Sequence, residues 1–216
     1  MATQHLDLEE QEQLAQFKAF WARWGNALTW LVIVVLGAYA AWNGWQYHQR
    51  SQANQAAQLY GQLQVAAAAE DADKVVRVLQ DMQDNVGGTA LMTHARLLAA
   101  ETLLKADREP AARAQLAQVL EASKDQGLRA SAALRLAAMD LEAKAYGPAL
   151  THLNGDWPAA YQGLMDDRRG DVLMAQGERD AAVSAYQSAH AALEAGMAYR
   201  QMVAVKLNAL GVAVKE

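Results

Sequence analysis

The sequence predicts an all-α protein in which a single N-terminal transmembrane helix is followed by an α-solenoid, a stack of antiparallel helical hairpins. Three observations predict this class. A stretch near the N-terminus is long, apolar and uncharged, the remainder is a series of Ala- and Leu-rich segments with helical periodicity, and small residues recur in that remainder at a nearly constant interval. No segment alternates polar and apolar residues with period two, so no strand is predicted.

The predicted transmembrane helix, residues 27–47, is centred on an uncharged stretch. The nineteen residues Ala27–Trp45 contain no Asp, Glu, Lys or Arg. As a helix they would extend about 28 Å, close to the ~30 Å hydrocarbon core of a bilayer. Five of the six tryptophans lie between Trp21 and Trp45. They are sorted toward the two ends of the stretch, as the interfacial aromatic belts of a spanning helix are.

Two other interpretations of this stretch are open. Ala27–Gly37 followed by Ala38-Tyr39-Ala40 has the form of a signal peptide with a small-residue cleavage site. Alternatively, the stretch is a buried helix of a soluble protein. We favour an uncleaved anchor, because the segment before the stretch is longer than twenty residues and acidic, and because apolar residues continue beyond the cleavage motif.

Basic residues beside the span predict its orientation. Lys18 and Arg23 precede it, whereas Arg50 follows it and no further basic residue occurs before Lys74. By the positive-inside rule, this difference places the N-terminus in the cytosol. The bulk of the chain is then expected on the other side of the membrane, which is the periplasm if the organism is a Gram-negative bacterium.

Three regions are therefore predicted: a cytosolic tail with an interfacial lead-in (1–26), the transmembrane helix (27–47) and a periplasmic repeat domain (48–216). Within the first region, Met1–Gln13 is polar and acidic and is predicted to be a short mobile tail. From Leu14 onward apolar residues recur at helical spacing. This lead-in either lies along the membrane interface or extends the spanning helix, and the sequence does not separate the two.

Beyond the span the chain is predicted to continue as helices joined by short polar turns. The stretch after Tyr47 is free of proline and rich in strong helix formers, which favours a spanning helix that runs on without a break. Further helices are predicted over residues 73–84, 89–106, 109–122, 127–144, 148–154, 158–176, 179–194 and 198–210. Pro110, Pro148 and Pro158 each stand where a helix would begin, a position that tolerates proline because its amide has no intrahelical partner.

An internal repeat is the most informative pattern outside the span. Second helices of the predicted hairpins carry a small residue followed four positions later by a larger one, at Ala112 and Leu116, Ala149 and Leu153, and Ala182 and Tyr186. First helices carry a facing small residue at Ala100, Ala137 and Gly170. Two antiparallel helices approach closely only where neither has a bulky side chain. The pattern predicts tetratricopeptide-like repeats, whose period is about 34 residues. The alternative is an Ala-rich bundle with accidental periodicity.

A degenerate fourth unit is indicated by Leu63, Val75 and Leu79. Apolar residues on first helices are the predicted protein-binding positions, because that face of such repeats receives an extended or helical segment of a partner. Chosen by repeat position alone, they are Leu97, Leu104, Leu134, Leu141 and Met174.

Several stretches together resemble one known family. They are the acidic N-terminal tail, a span ending in GWQYHQ, the helix SQANQAAQLYGQL, the segment SAALRLAAMDLEAKAYGPALTHL and the block WPAAYQGLMDDRRGDVLMAQGERDAAVSAYQSA. They are similar to the YfgM family, the ancillary subunit of the SecYEG translocon in Gram-negative bacteria. The resemblance implies an inner-membrane protein whose periplasmic repeat domain associates with SecYEG and with a membrane-anchored periplasmic chaperone of the prolyl-isomerase type. It implies no catalytic residues.

No catalytic, cofactor or metal site is predicted. The chain has no Cys, and none of its five histidines pairs at helical i, i+4 spacing. From Ser51 onward 16 basic residues face 20 acidic ones without forming a basic stripe, so nucleic acid is not a predicted partner. The charged residues 166–169 and Asp171 are predicted to be the solvated face of a repeat helix with local ion pairs rather than an acid–base site.

The predicted function is that of a membrane-anchored protein-interaction module associated with the SecYEG translocon. It would help to pass secreted or translocated proteins to periplasmic chaperones, with client polypeptides as further partners, and it would not be an enzyme. The alternative is an architectural scaffold of another cell-envelope complex, for division or outer-membrane assembly.

Overall fold

The computed structural model describes residues 8–213 of the 216-residue chain, and the side chains of residues 12–213. Within that range there are nine α-helices and no strand. The helices are α1 (Leu8–Ala68), α2 (Ala72–Val86), α3 (Ala90–Lys105), α4 (Glu109–Ala122), α5 (Gln126–Glu142), α6 (Tyr146–Leu153), α7 (Ala159–Gln176), α8 (Arg179–Ala192) and α9 (Ala198–Ala209). The chain divides into two compact units, Met1–Asn54 and Gln55–Glu216.

Helix α1 runs without interruption through the predicted span. It begins at Leu8, so residues 8–13, which were predicted as part of a mobile tail, are helical instead. That stretch consists of Leu, Glu and Gln, which are all strong helix formers. The rest of the predicted tail, residues 1–7, lies outside the described residues. Of the two alternatives for the lead-in, extension of the spanning helix is the one observed.

The apolar side chains of the span are exposed all around α1. Trp30, Val34 and Leu36 are 62%, 64% and 61% exposed, and only 6% of the most apolar window of the helix is buried. The core helix of a soluble protein would be mostly buried, so that interpretation is disfavoured. Among the described helices, α1 is the one long and apolar enough to cross a membrane. This fits a single-pass membrane protein.

The second unit is a series of helical hairpins. The C-terminal part of α1 pairs with α2, α3 with α4, α5 with α6, and α7 with α8, while α9 packs on α8. Every predicted helix beyond the span is confirmed, and each of its ends lies within two residues of the expected position. The prolines mark helix starts: Pro110 lies in the first two positions of α4, Pro148 in the first turn of α6, and Pro158 is the N-cap of α7.

One turn geometry closes all four hairpins. After α3, the backbone N–H of Asp107 donates to Leu104 O at 3.1 Å and that of Arg108 to Leu103 O at 2.8 Å. The same pair of hydrogen bonds recurs at Glu70 and Asp71, at Lys144 and Ala145, and at Gly177 and Glu178. The first residue of each pair has a positive φ: 53° at Glu70, 55° at Asp107, 58° at Lys144 and 84° at Gly177. This is the left-handed motif that ends many helices, and its recurrence confirms the degenerate unit before α3.

The core of the second unit is divided rather than single. Its buried apolar side chains form four clusters, arranged along the series of helices. The small residues predicted at the helix crossings are all buried: Gly170 is buried in α7, and five alanines have 0% exposure, Ala100, Ala112, Ala137, Ala149 and Ala182. The predicted repeat is therefore present in the structure, with each hairpin stacked on the next.

Candidate protein-interaction surfaces

The five predicted binding residues lie at the edge of the core. Leu97 and Leu104 on α3 are half-buried against the second cluster, and Leu134 and Leu141 on α5 are half-buried against the third. Met174 on α7 is 36% exposed. Each of the five retains some exposed surface on a first helix, but none lines either of the two grooves described below. Their role in binding stays a prediction.

The first groove lies between α2 and α4, with α3 as its floor. Its volume is about 470 Å³. It is lined by Val76, Leu79, Gln80, Gln83, Met92, Arg96, Leu103, Ala111, Ala114, Gln115 and Gln118. The four glutamines come in two pairs spaced i, i+3, one pair on each wall, and residues at that spacing share one face of a helix. Each wall of the groove therefore combines two glutamines with two apolar residues, and the floor combines Met92 and Leu103 with Arg96.

Arg96 bridges the two walls of this groove. Its Nη1 donates to Gln115 Oε1 at 2.7 Å, and its Nη2 donates to Gln83 Oε1. The side chain is half-buried, and burial lowers the pKa of its guanidinium. Gln80 Nε2 donates away from Arg96, to Asp84 Oδ1 at 2.9 Å. Among the described side chains, no carboxylate lies within 4.0 Å of the Arg96 guanidinium nitrogens.

The second groove lies beside α9, near the end of α8. Its volume is about 640 Å³, and it is lined mainly by the segment from Ala195 to Asn208 together with His190. Arg200 Nε donates to His190 Nε2 at 3.2 Å. Burial and the neighbouring Arg200 charge lower the pKa of His190. Val205, at the rim, is 67% exposed.

The charged cluster on α7 corrects one prediction. Residues 166–169 and Asp171 were expected on a solvated face, but Asp166 and Asp167 are only 5% and 2% exposed. Successive residues on a helix are about 100° apart, so four consecutive charges spread around its circumference. Helix α7 has neighbours on more than one side. Some of the charges must therefore point inward.

Asp166 is partnered within α7, by Arg169 and Gln162, whereas Asp167 and Asp171 are partnered by α8 and α9. Asp167 accepts hydrogen bonds from Tyr199 Oη at 2.6 Å and from Lys206 Nζ at 2.8 Å. Asp171 accepts from Tyr186 Oη at 2.8 Å and from Lys206 Nζ at 2.6 Å. Burial, followed by the hydrogen bond to the neighbouring carboxylate, raises the pKa of both tyrosines well above the ordinary value. The tyrosines stay protonated as donors, and the arrangement joins three helices.

Another buried carboxylate links earlier helices of the series. Asp140 on α5 is 4% exposed. It accepts a hydrogen bond from Arg113 Nη1 at 2.6 Å, and His152 Nε2 lies 3.3 Å from its other oxygen. In the part of the chain that the structure describes, no group of three or more His, Cys, Asp or Glu residues is placed to hold a metal ion.

Comparison with known proteins adds two findings. Residues 18–212 match the family model described as a tetratricopeptide repeat-like domain. A curated protein of Neisseria gonorrhoeae (strain ATCC 700825 / FA 1090), named as an ancillary SecYEG translocon subunit, is 30% identical to this chain over 132 residues. The match covers 61% of this chain and 63% of that protein.

Proposed function

The chain belongs to the tetratricopeptide repeat-like family, and from that premise we propose that it is a membrane-anchored protein-interaction module associated with the SecYEG translocon. The resemblance to the YfgM family is confirmed by the family match and the curated relative. The observation that carries the proposal is the combination, in one chain, of an apolar helical stretch that is exposed on all sides and a domain of stacked helical hairpins.

The anchor supports the location. An apolar surface that surrounds a helix over the length of a bilayer is stable only in an apolar solvent. We propose that α1 crosses the inner membrane once, with the N-terminus in the cytosol and the repeat domain in the periplasm. The flanking charges support this orientation.

The repeat domain supports the mode of action. Stacked hairpins offer an extended surface made of many helices, which suits the binding of polypeptide segments. We propose that the domain acts by binding rather than by covalent chemistry. The name of the relative points to the translocon as the partner. The finer proposal is that the domain helps to pass emerging proteins to periplasmic chaperones, with a membrane-anchored prolyl-isomerase-type chaperone as a second partner.

Crosslinking in intact membranes tests the association. A photoreactive residue is placed at Met174, on the predicted binding face of first helices, and in a control variant at Glu121, an exposed residue on a second helix. We expect crosslinks to translocon subunits from Met174 and fewer from Glu121. Crosslinks only to division or outer-membrane assembly factors would favour the architectural scaffold instead.

Labelling with a membrane-impermeant maleimide tests the orientation. The chain has no Cys, so a single introduced Cys is unique. We expect Ser188→Cys, at an exposed position of α8, to be labelled once the outer membrane is opened, and Lys18→Cys to be labelled only after the inner membrane is dissolved. The reverse pattern contradicts the proposed topology. A labelled product that lacks residue 18 altogether would show a cleaved signal peptide.

A further inference from the structure

We propose that the groove between α2 and α4 binds an acidic side chain, Asp or Glu, carried within an extended segment of a partner polypeptide, and that Arg96 is the group that receives it. The inference rests on the proposed function in that the domain binds polypeptides. It does not depend on which complex supplies them.

The first argument is an unneutralised charge. Arg96 is the single charged residue among the eleven that line the groove. Both of its Nη atoms are held by neutral amide oxygens of Gln83 and Gln115. These contacts fix the orientation of the guanidinium and leave its positive charge uncompensated. Burying a charge partly from water costs free energy when no opposite charge is near. A carboxylate that enters the groove would supply the opposite charge, and this favours its binding.

Arg129 and Arg200 are also half-buried and, among the described side chains, have no carboxylate partner, but three other half-buried arginines of this chain show a contrast. Arg113 has Asp140 at 2.6 Å, Arg168 has Asp171 at 3.3 Å, and Arg169 pairs with Asp166. Each of these three is neutralised within the domain. Beside Arg96, the corresponding positions are occupied by Gln83 and Gln115. Glutamate at either position would have neutralised the arginine charge within the domain.

The remaining donors define the ligand. A guanidinium has five N–H donors in a planar fork, and the two glutamines engage only part of them. The free donors match a carboxylate, which accepts two parallel hydrogen bonds from arginine. The glutamine side chains of the walls carry both donors and acceptors. They suit the alternating N–H and C=O groups of an extended main chain.

The shape of the groove favours a segment that passes through it over a chain terminus. The α4 wall runs from Ala111 to Gln118, and Gln115, which holds Arg96, lies inside that range. The groove therefore continues on both sides of the arginine. A wall of eight helical residues is about 10 Å long, which accommodates about three extended residues. An internal acidic side chain can reach Arg96 while its flanking residues contact the walls.

The experiment uses the full chain in detergent micelles and three fluorescein-labelled nonapeptides of Gly, Ser and Ala. One has a central Glu and blocked ends, one has Gln at that position, and one lacks Glu but ends in a free carboxylate. By fluorescence anisotropy we expect the Glu peptide to bind at least about tenfold more tightly than the Gln peptide, as a charge-assisted pair requires. Arg96→Gln should remove this difference. Arg77→Gln, at an exposed arginine of α2 outside the groove, should leave it unchanged.

A second variant shows whether a loss of binding comes from the neutralised charge rather than from misfolding of Arg96→Gln. Gln115→Glu places a carboxylate beside Arg96 within the domain and is expected to abolish selective binding while the thermal unfolding midpoint stays the same or rises. Equal binding of the Glu and Gln peptides, no binding of either, preference for the free-carboxylate peptide, or equal losses in Arg96→Gln and Arg77→Gln would each overturn the proposal. Translocon crosslinking from Met174 is read separately, so its failure and the failure of the peptide test are distinguishable.

Discussion

Gly170 is where α7 and α8 come closest to a clash. A Cβ atom placed there would overlap Tyr186 Cε1, whereas a Cβ at Gly61 in α1 would meet nothing within 4 Å. We expect Gly170→Ala to lower the free energy of unfolding by about 1–3 kcal/mol, because the Tyr186 ring must shift. Gly61→Ala is the control and should be neutral or slightly stabilising. Urea denaturation of both variants in micelles checks this, and equal effects would contradict it.

In the hairpin turns, by contrast, a change to glycine is expected to stabilise the fold. Lys144 occupies the left-handed position with φ 58°, where Gly177 has φ 84° in the last hairpin. A side chain in that region costs about 1–2 kcal/mol, which glycine avoids at some cost in chain entropy. We therefore expect Lys144→Gly to raise the free energy of unfolding by about 0.5 kcal/mol and Gly177→Ala to lower it by about 1 kcal/mol. The two shifts in the urea midpoint should have opposite signs, and a shared sign would show that strain at this position is not decisive.

Single residues were predictable from the sequence where the cause is local. Small residues such as Ala149 and Ala182 had to lie at helix crossings, and they do. The partners of Asp167 were not predictable, because Tyr199 and Lys206 lie 32 and 39 positions away and only the packing of α9 brings them together. Asp167 therefore looked like a surface residue in the sequence.

Among the elements, α9 is attached to α7 and α8 by polar contacts as well as by the buried apolar residues Val203 and Leu207. Lys206 lies between Asp167 and Asp171, and its Nζ also lies 5.1 Å from the centre of the Tyr186 ring. Removing one partner of such an arrangement leaves a buried charge unpaired. The attachment of the last helix consequently depends on ionisation as well as on apolar packing.

This attachment predicts a pH dependence. Burial and a carboxylate neighbour raise the pKa of Tyr186 and Tyr199 in the folded state above their unfolded value of about 10. The folded state holds these protons more tightly, so their contribution to stability is complete below pH 10 and is lost as pH rises further. We expect the free energy of unfolding to fall above pH 10. Tyr186→Phe and Tyr199→Phe should each reduce that slope by up to about 1.4 kcal/mol per pH unit.

Urea denaturation between pH 8 and pH 12 measures the slope. Tyr60→Phe, on α1 outside the network, is the control variant. A slope that is the same in all three variants would show that the two tyrosines are not responsible.

At the level of elements, the helices and their order could be predicted, whereas the grooves between them could not. Helix positions follow from periodicity, prolines and turn residues, all of which are local. The groove at Arg96 depends on how far α2 and α4 stand apart over α3, which no single segment determines. The one signal in the sequence was the pair of i, i+3 glutamines on each of two neighbouring second helices.

For the molecule as a whole, the structure indicates where the chain can be truncated without loss of the fold of the second unit. The last turns of α1 contribute Ala56, Leu63 and Ala66 to the first core cluster, at 0%, 0% and 1% exposure. We expect a chain that begins at Gln55 to keep the fold of the second unit. A chain that begins at residue 69 should lose at least about 3 kcal/mol, because Val75 and Met82 become exposed.

Hydrogen exchange of the two truncated chains separates these outcomes. The shorter chain should lose protection in α2 and keep it in α7, since each hairpin contacts mainly its neighbours. Uniform loss of protection across all helices would mean that the second unit unfolds as a single body.

The division of the core into four clusters also determines how the second unit would respond to a mechanical load. A force applied at its C-terminal end would strain the contacts of α9 with Tyr186 and Leu193 while the first three clusters still hold. The hairpins would therefore unfold one after another under force and refold one after another when the force is released. Stretching in an optical trap should therefore show several small extensions, and one abrupt rupture would contradict this. A domain built in this way would lengthen under load without unfolding completely.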